Sequence, residues 1–189
     1  LNIGNPVMHK TQGFIIQSLL LGLLFSANAS YAACANYLSN SMRQLHSQQQ
    51  IDICQLVKDK PVLVVNTASH CGYTQQFKGL EALHQQYQEQ GLVVIRFSSN
   101  DFNQEAKDES KAADICYVNF GVSFTMLAPS HVKGEAANAV FAMLAAKTQA
   151  PQWNFNKYLI NRDGEVVEHF ASRVAPDDKN LRQAIESLL

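Results

Sequence analysis

The sequence predicts an α/β domain built on a central mixed sheet, and three observations carry that expectation. Two runs rich in β-branched and leucine residues, 62–65 and 92–98, have the apolar character of strands buried on both faces. Between them Phe77, Leu80, Leu83 and Tyr87 fall on one helical face, which makes a strand–helix–strand unit. Near the C-terminus, strand-like segments on either side of Asp163-Gly164 read as an antiparallel hairpin.

The elements follow in order. Residues 43–45 and 51–53 alternate around the polar stretch 47–50 and predict a small N-terminal β-hairpin. The strand at 62–65 comes next, then the helix from Gln75, closed at Gly91 where a left-handed residue is wanted. After the strand at 92–98, the polar stretch 103–121 reads as a loop entering a helix that ends near Gly121. A brief strand at 123–127 precedes a helix marked by Ala137, Val140, Phe141 and Leu144. The hairpin at 154–171 follows, and Pro176-Asp177 opens a final helix carrying Leu181, Ala184, Ile185 and Leu188. Strand–helix–strand, helix, antiparallel hairpin, helix is the order of a thioredoxin-like fold. Periodicity alone supports only the α/β class.

Residues 1–32 are expected to lie outside that domain. The apolar stretch 14–25 follows Met8-His9-Lys10 and has the length of a secretory h-region, too short to span a bilayer. Small residues after it, Ala27-Asn28-Ala29 and Ser30-Tyr31-Ala32, both fit a signal-peptidase site. Residues 1–7 stand upstream of the first methionine. The expectation is upstream residues plus a signal peptide at 1–32, then one domain at 33–189, exported and most simply placed in a bacterial periplasm. An uncleaved N-terminal anchor and a lipid anchor on Cys34 are the alternatives.

A net charge of −1 and no Lys/Arg block give no reason to expect nucleic acid or an anionic membrane surface. The partner is then small and uncharged, or another protein. Four cysteines, Cys34, Cys54, Cys71 and Cys116, allow three pairings in an oxidising compartment. The six histidines are scattered with no pair at ligand spacing, and no C-x-x-C occurs, so no metal is expected.

Cys71 stands where an apolar strand gives way to a helix. A thiol reacts as its anion, and free backbone N–H groups at a helix start favour one. His70, adjacent in an extended segment, reads as surface or substrate-facing rather than as a base. Thr74 fills the position where a dithiol exchanger has its second cysteine. The pattern points to one cysteine reacting first and a distant thiol following, as in peroxide reduction through a sulfenic acid.

The ordered segments VVNTASHCGYTQQFKGLEAL, GLVVIRFSSNDF, ICYVNFGVSFTM, WNFNKYLINRDGEVVEHFA and PDD, spanning about residues 61–178, resemble the glutathione peroxidase family in its cysteine form. The resemblance implies a thioredoxin-like fold, peroxidase activity, Cys71 as the peroxidatic residue and no cofactor. It also implies that Trp153 and Asn154 complete the site, their N–H groups donating to the thiolate or to the leaving oxygen. The family's glutamine is replaced by Asp101, whose carboxylate near Cys71 would oppose thiolate formation unless it is protonated or turns away. On that reading Asp101→Gln raises the rate near neutral pH. The loop is about one residue shorter than the family's, which leaves Gln104 or Asn103 to supply the amide. Thr125 and Gln75 stand at two family prolines.

Cys116 matches the resolving position of thioredoxin-dependent members, and Ser99 replaces the family's other common cysteine. A buried helix cysteine is the alternative reading of Cys116. Cys34 and Cys54, outside the matching segments, are candidates for a structural disulfide worth about 3 kcal/mol. The absence of an assembly insertion before Trp153 implies a monomer reduced by a thioredoxin-like protein, with glutathione the other candidate reductant. Hydrogen peroxide and organic or lipid hydroperoxides are the implied substrates. Two rival readings are a general thiol–disulfide oxidoreductase, which Thr74 disfavours, and a weakly active redox sensor or binding protein, which Asp101 favours.

Overall fold

A computed structural model of the protein describes residues 1–4 and 34–189. The chain divides into Leu1–Tyr31 and Ala32–Leu189. The expected signal segment and its cleavage sites lie outside the described residues. Among the described residues no helix is long and apolar enough to cross a membrane, and no group of His, Cys, Asp and Glu is arranged to hold a metal.

The second unit holds a five-stranded mixed sheet. β3 (Val62–Thr67) and β4 (Val93–Ser98) pair in parallel, Val62 opposite Val93 and Thr67 opposite Ser98. β5 (Thr125–Leu127) extends the parallel half, while β6 (Lys157–Ile160) and β7 (Val166–Phe170) run antiparallel on the other side. Both β3 and β4 are buried along their whole length, which is why their sequences do not alternate.

Side chains alternate between two cores. Leu63, Val65 and Val94 join Phe77, Leu80 and Leu83 of α2 (Gln76–Tyr87) and Leu181 and Ile185 of α5 (Lys179–Glu186). Val62, Val64, Ile95 and Phe97 join Ile53 and Val57 of α1 (Ile53–Val57) and Val140, Phe141 and Leu144 of α4 (Ala139–Lys147). This sheet between helical layers is the predicted thioredoxin-like arrangement.

Several elements differ in detail from the sequence reading. The N-terminal hairpin pairs β1 (Ser41–Arg43) with β2 (Gln50–Asp52), Met42 opposite Ile51, rather than 43–45 with 51–53. Gln44 N–H still bonds across the hairpin to Gln49 O at 2.9 Å, but Leu45 is drawn into the core and its N–H bonds to Met126 O at 2.9 Å, so the chain leaves the hairpin there. Ile53 begins α1, because Asp52 accepts the N–H of Gln55 and caps a helix there. The helix expected before Gly121 is two pieces, α3 (Glu109–Ala113) and a π-helical segment Asp114–Asn119. A single π turn of this kind is a weak, irregular continuation of a helix.

Cys34 and Cys54 form a disulfide that ties the start of the unit to α1. A Cys34 thiol used in this way is not open to lipidation. The segment is further fixed by Tyr37, whose hydroxyl donates to Gly164 O at 2.8 Å in the β6–β7 turn. Gly164 itself has φ 79° and lies against Ala35, where an added Cβ would come within 2.8 Å of that side chain.

Candidate active site

Cys71 is a free cysteine, 3% exposed, four residues beyond the end of β3. The expected placement at a helix N-terminus needs correction. α2 starts at Gln76, and overlapping turns fill the gap: Thr74 N–H bonds to Cys71 O, Gln76 N–H to Tyr73 O and Phe77 N–H to Thr74 O. A helix dipole fades within its first turn, so α2 contributes less at Cys71 than its adjacency in sequence suggests. The N–H groups of Gly72 and Tyr73 donate to no backbone carbonyl among the described residues, and a Cβ on Gly72 would meet open space.

The segment 153–156 is held against β3 by Asn66. Its Nδ2 donates to Trp153 O at 3.0 Å, its Oδ1 accepts Asn156 N–H at 3.0 Å, and its backbone O accepts Phe155 N–H at 2.6 Å. Phe155 adopts φ 64°, a left-handed conformation that these bonds and its buried ring hold in place. Lys157 secures the same segment from the other side, donating to Gln76 Oε1, Phe155 O and Val174 O at 2.6–2.8 Å. Burial lowers the Lys157 ammonium to about 7. Trp153 is 39% exposed, packs on Phe102 with ring centroids 5.3 Å apart, and shares a shallow cavity of about 240 Å³ with Tyr73.

Asn154 is fully buried and reaches Gln104, Nδ2 to Oε1 at 3.5 Å. Asn154 Oδ1 is buried without a partner among the described residues. Gln104 is bound to the cysteine turn as well, since its backbone O accepts His70 N–H at 2.9 Å. Gln104 is thus the amide that the fold brings beside residues 70 and 154. Asn103, at φ 56°, serves the turn instead, its N–H bonded to Asn100 O at 2.8 Å.

Asp101 faces elsewhere. Oδ1 lies 2.7 Å from His131 Nδ1, and Oδ2 accepts the N–H groups of Val132 at 2.6 Å and Lys133 at 3.2 Å. Partial burial pushes its carboxyl up, but hydrogen bonds from Val132, His131 and Ser99 outweigh it and hold the group below the usual carboxylate range. The carboxylate is a clamp between the 99–103 and 130–133 loops. The expectation of an inhibitory charge aimed at the thiol gives way to the alternative in which it turns away.

Cys116 lies in the π-helical segment, free and with no exposure. Burial pushes its thiol up, Arg96 opposes this, and Glu105 adds to it. Cys71 and Cys116 border the same core yet are unbonded in this state. Motif spacing does not single out Asn66, and it leaves Gln104 and Asn103 as alternatives for the amide. The signal for Asn66 is an amide at the end of an apolar run, and for Gln104 an amide displaced in a shortened loop.

The family model described as glutathione peroxidase matches residues 38–145. The glutathione peroxidase-like peroxiredoxin gpx1 of Schizosaccharomyces pombe is 43% identical over 141 residues, which cover 70% of this chain and 87% of that protein. The hydroperoxy fatty acid reductase Gpx2 of a Synechocystis species is 40% identical over 136 residues, covering 71% of this chain and 88% of that protein. Among solved structures, Trgpx in its apo form superposes with a TM-score of 0.64 at 27% identity, covering 82% of this chain and 96% of that one. With a family match over more than half its length and relatives at this identity, the chain belongs to the glutathione peroxidase family.

Proposed function

We propose that the chain is a cysteine-dependent thiol peroxidase acting on hydrogen peroxide and on organic or lipid hydroperoxides. The observation that carries the reading is the free Cys71 in the turn after β3, fastened through His70 to a loop amide, Gln104, that also meets Asn154. The Cys71 thiolate attacks the O–O bond. A sulfur–oxygen bond forms, the O–O bond breaks, and the departing oxygen leaves as water or an alcohol after taking up a proton. On this reading the Gln104 amide and the Trp153 indole N–H are the donors to that oxygen, and Asn154, whose Nδ2 donates to Gln104 Oε1, orients that amide.

Cys116 then condenses with the Cys71 sulfenic acid. An S–S bond forms, the S–O bond breaks, and the hydroxyl leaves as water with the thiol proton. Because Cys116 is buried, this step requires the 109–119 segment to open. A thioredoxin-like protein or glutathione reduces the disulfide. The names of the relatives, a peroxiredoxin and a hydroperoxy fatty acid reductase, support this chemistry and a lipid hydroperoxide among its substrates. The Cys34–Cys54 disulfide suits an exported chain working as a monomer in an oxidising compartment.

The test is steady-state turnover of hydrogen peroxide and cumene hydroperoxide by residues 33–189, with thioredoxin or glutathione as reductant. Wild type turns over with at least one pair and Cys71→Ser does not. No peroxide-dependent turnover with either reductant contradicts the reading, and insulin reduction without peroxide points to disulfide exchange instead.

A further inference from the structure

The interior holds a charged pair that bears on the Cys116 thiol but has no part assigned to it in the first step at Cys71. Arg96 on β4 is the largest fully buried side chain among the described residues. Its Nη2 donates to Glu105 Oε2 at 3.1 Å and its Nε to Thr67 Oγ1, and the two side chains of the pair are 0% and 2% exposed. Ser98 Oγ donates to the same Glu105 oxygen at 2.6 Å. Arg96 Nη1 is buried with no hydrogen-bond partner among the described residues.

As a stabilising element this is a poor arrangement. Desolvation offsets the attraction of a buried pair, and an idle buried N–H adds a further cost. Its position supplies a different reason for it. Glu105 follows Gln104 directly, and the bonds around it fasten the loop to the turn after β3 on both sides of Glu105. His70 N–H bonds to Gln104 O before it, and Ala106 N–H bonds to Ser69 Oγ at 2.9 Å after it. Glu105 N–H bonds to Asn100 Oδ1 at 3.1 Å and closes the loop on itself. Glu105 to Arg96 is the charged fastening in the set, and it reaches through to the sheet.

We propose that the buried Arg96–Glu105 pair is a positioning device for the peroxidatic site, holding the loop that carries Gln104 against the Cys71 turn. Neither residue touches substrate; both act through Gln104, at a site where Asp101 has become a loop clamp. The inference rests on the reading of Cys71 as nucleophile and Gln104 as amide donor.

The experiment compares wild type, Gln104→Ala, the apolar pair Arg96→Met/Glu105→Leu, and that pair combined with Gln104→Ala. Apolar replacement of a buried ion pair by side chains of similar volume commonly preserves folding. Rapid-mixing oxidation of Cys71 by hydrogen peroxide is expected to slow about 100-fold in the apolar pair, as for a displaced catalytic group. Adding Gln104→Ala slows it no further, because both changes act on one group. The His70 amide, which reports the loop position independently of activity, exchanges with solvent about 10-fold faster in the apolar pair. Either readout at the wild-type value in a folded variant overturns the proposal. A wild type that does not react with peroxide overturns the peroxidase reading instead, and His70 exchange then decides the positioning by itself. Should the apolar pair fail to fold, Glu105→Asp keeps both buried charges and shortens the reach to Arg96, and the same readouts apply.

Discussion

At the scale of single residues, Asp101 changes meaning between sequence and structure. Its carboxylate serves His131, Val132 and Lys133, so Asp101→Gln loses a loop clamp and no longer promises a faster enzyme. We expect Asp101→Asn to lower the thermal midpoint at pH 7 by a few degrees, about 1 kcal/mol for a charged hydrogen-bond acceptor. The sign with pH follows from the lowered carboxyl. Its contribution is present above the unfolded value and is lost as pH falls through the folded one, so the variant flattens the acid side of the stability profile below about pH 4. Thermal melts of both proteins from neutral to acid pH measure it; equal melts at pH 7 contradict the clamp. The sequence could not reveal this because the partners lie about thirty residues away in a loop with no motif. Asn66 was similarly hidden inside an apolar strand. Asn66→Ala leaves Asn156 N–H and Phe155's strained backbone less supported, and is expected to cost about 1–3 kcal/mol by denaturant unfolding. It also slows Cys71 oxidation, because Trp153 and Asn154 lose their anchor.

At the scale of elements, the periodicity that predicted α2 also predicted its buried face, Phe77, Leu80, Leu83 and Tyr87. It could not place the first turn, since residues 72–75 curl without yet making helical bonds. Close packing explains another position on the same helix. An added Cβ at Gly79 would lie 2.9 Å from Pro176 Cβ, so Gly79→Ala is expected to destabilise by about 1–3 kcal/mol despite alanine's better helix propensity. A stabilised variant in chemical denaturation would show that the Pro176 loop yields freely. The α3 and π-helical pieces were read as one helix because their sequence is polar and only Ala112, Ala113 and Cys116 are buried. Such a segment opens cheaply. After stoichiometric peroxide, peptide mapping is expected to find Cys71 joined to Cys116, and Cys116→Ser to stop at a sulfenic acid that traps with dimedone. Mapping that joins Cys71 to Cys34 or Cys54 contradicts this assignment.

At the scale of the whole unit, the α/β class and element order were legible in sequence because two fully buried strands and amphipathic helices leave strong patterns. The strand order β5–β4–β3–β6–β7 was not, since register and neighbours are set by packing at long range. The Cys34–Cys54 disulfide joins the unit's start to α1, away from Cys71 in sequence and in element. Replacing both cysteines by serine is expected to lower stability by about 3 kcal/mol and leave the peroxide rate unchanged. Under the proposed function Cys71 alone meets peroxide first. Reduced protein, freed of reductant and mixed with excess hydrogen peroxide, should rapidly consume one equivalent per chain, and Cys71→Ser should consume none on that timescale. Equal consumption by the two proteins, or none by wild type, would contradict Cys71 as the peroxide-reacting residue.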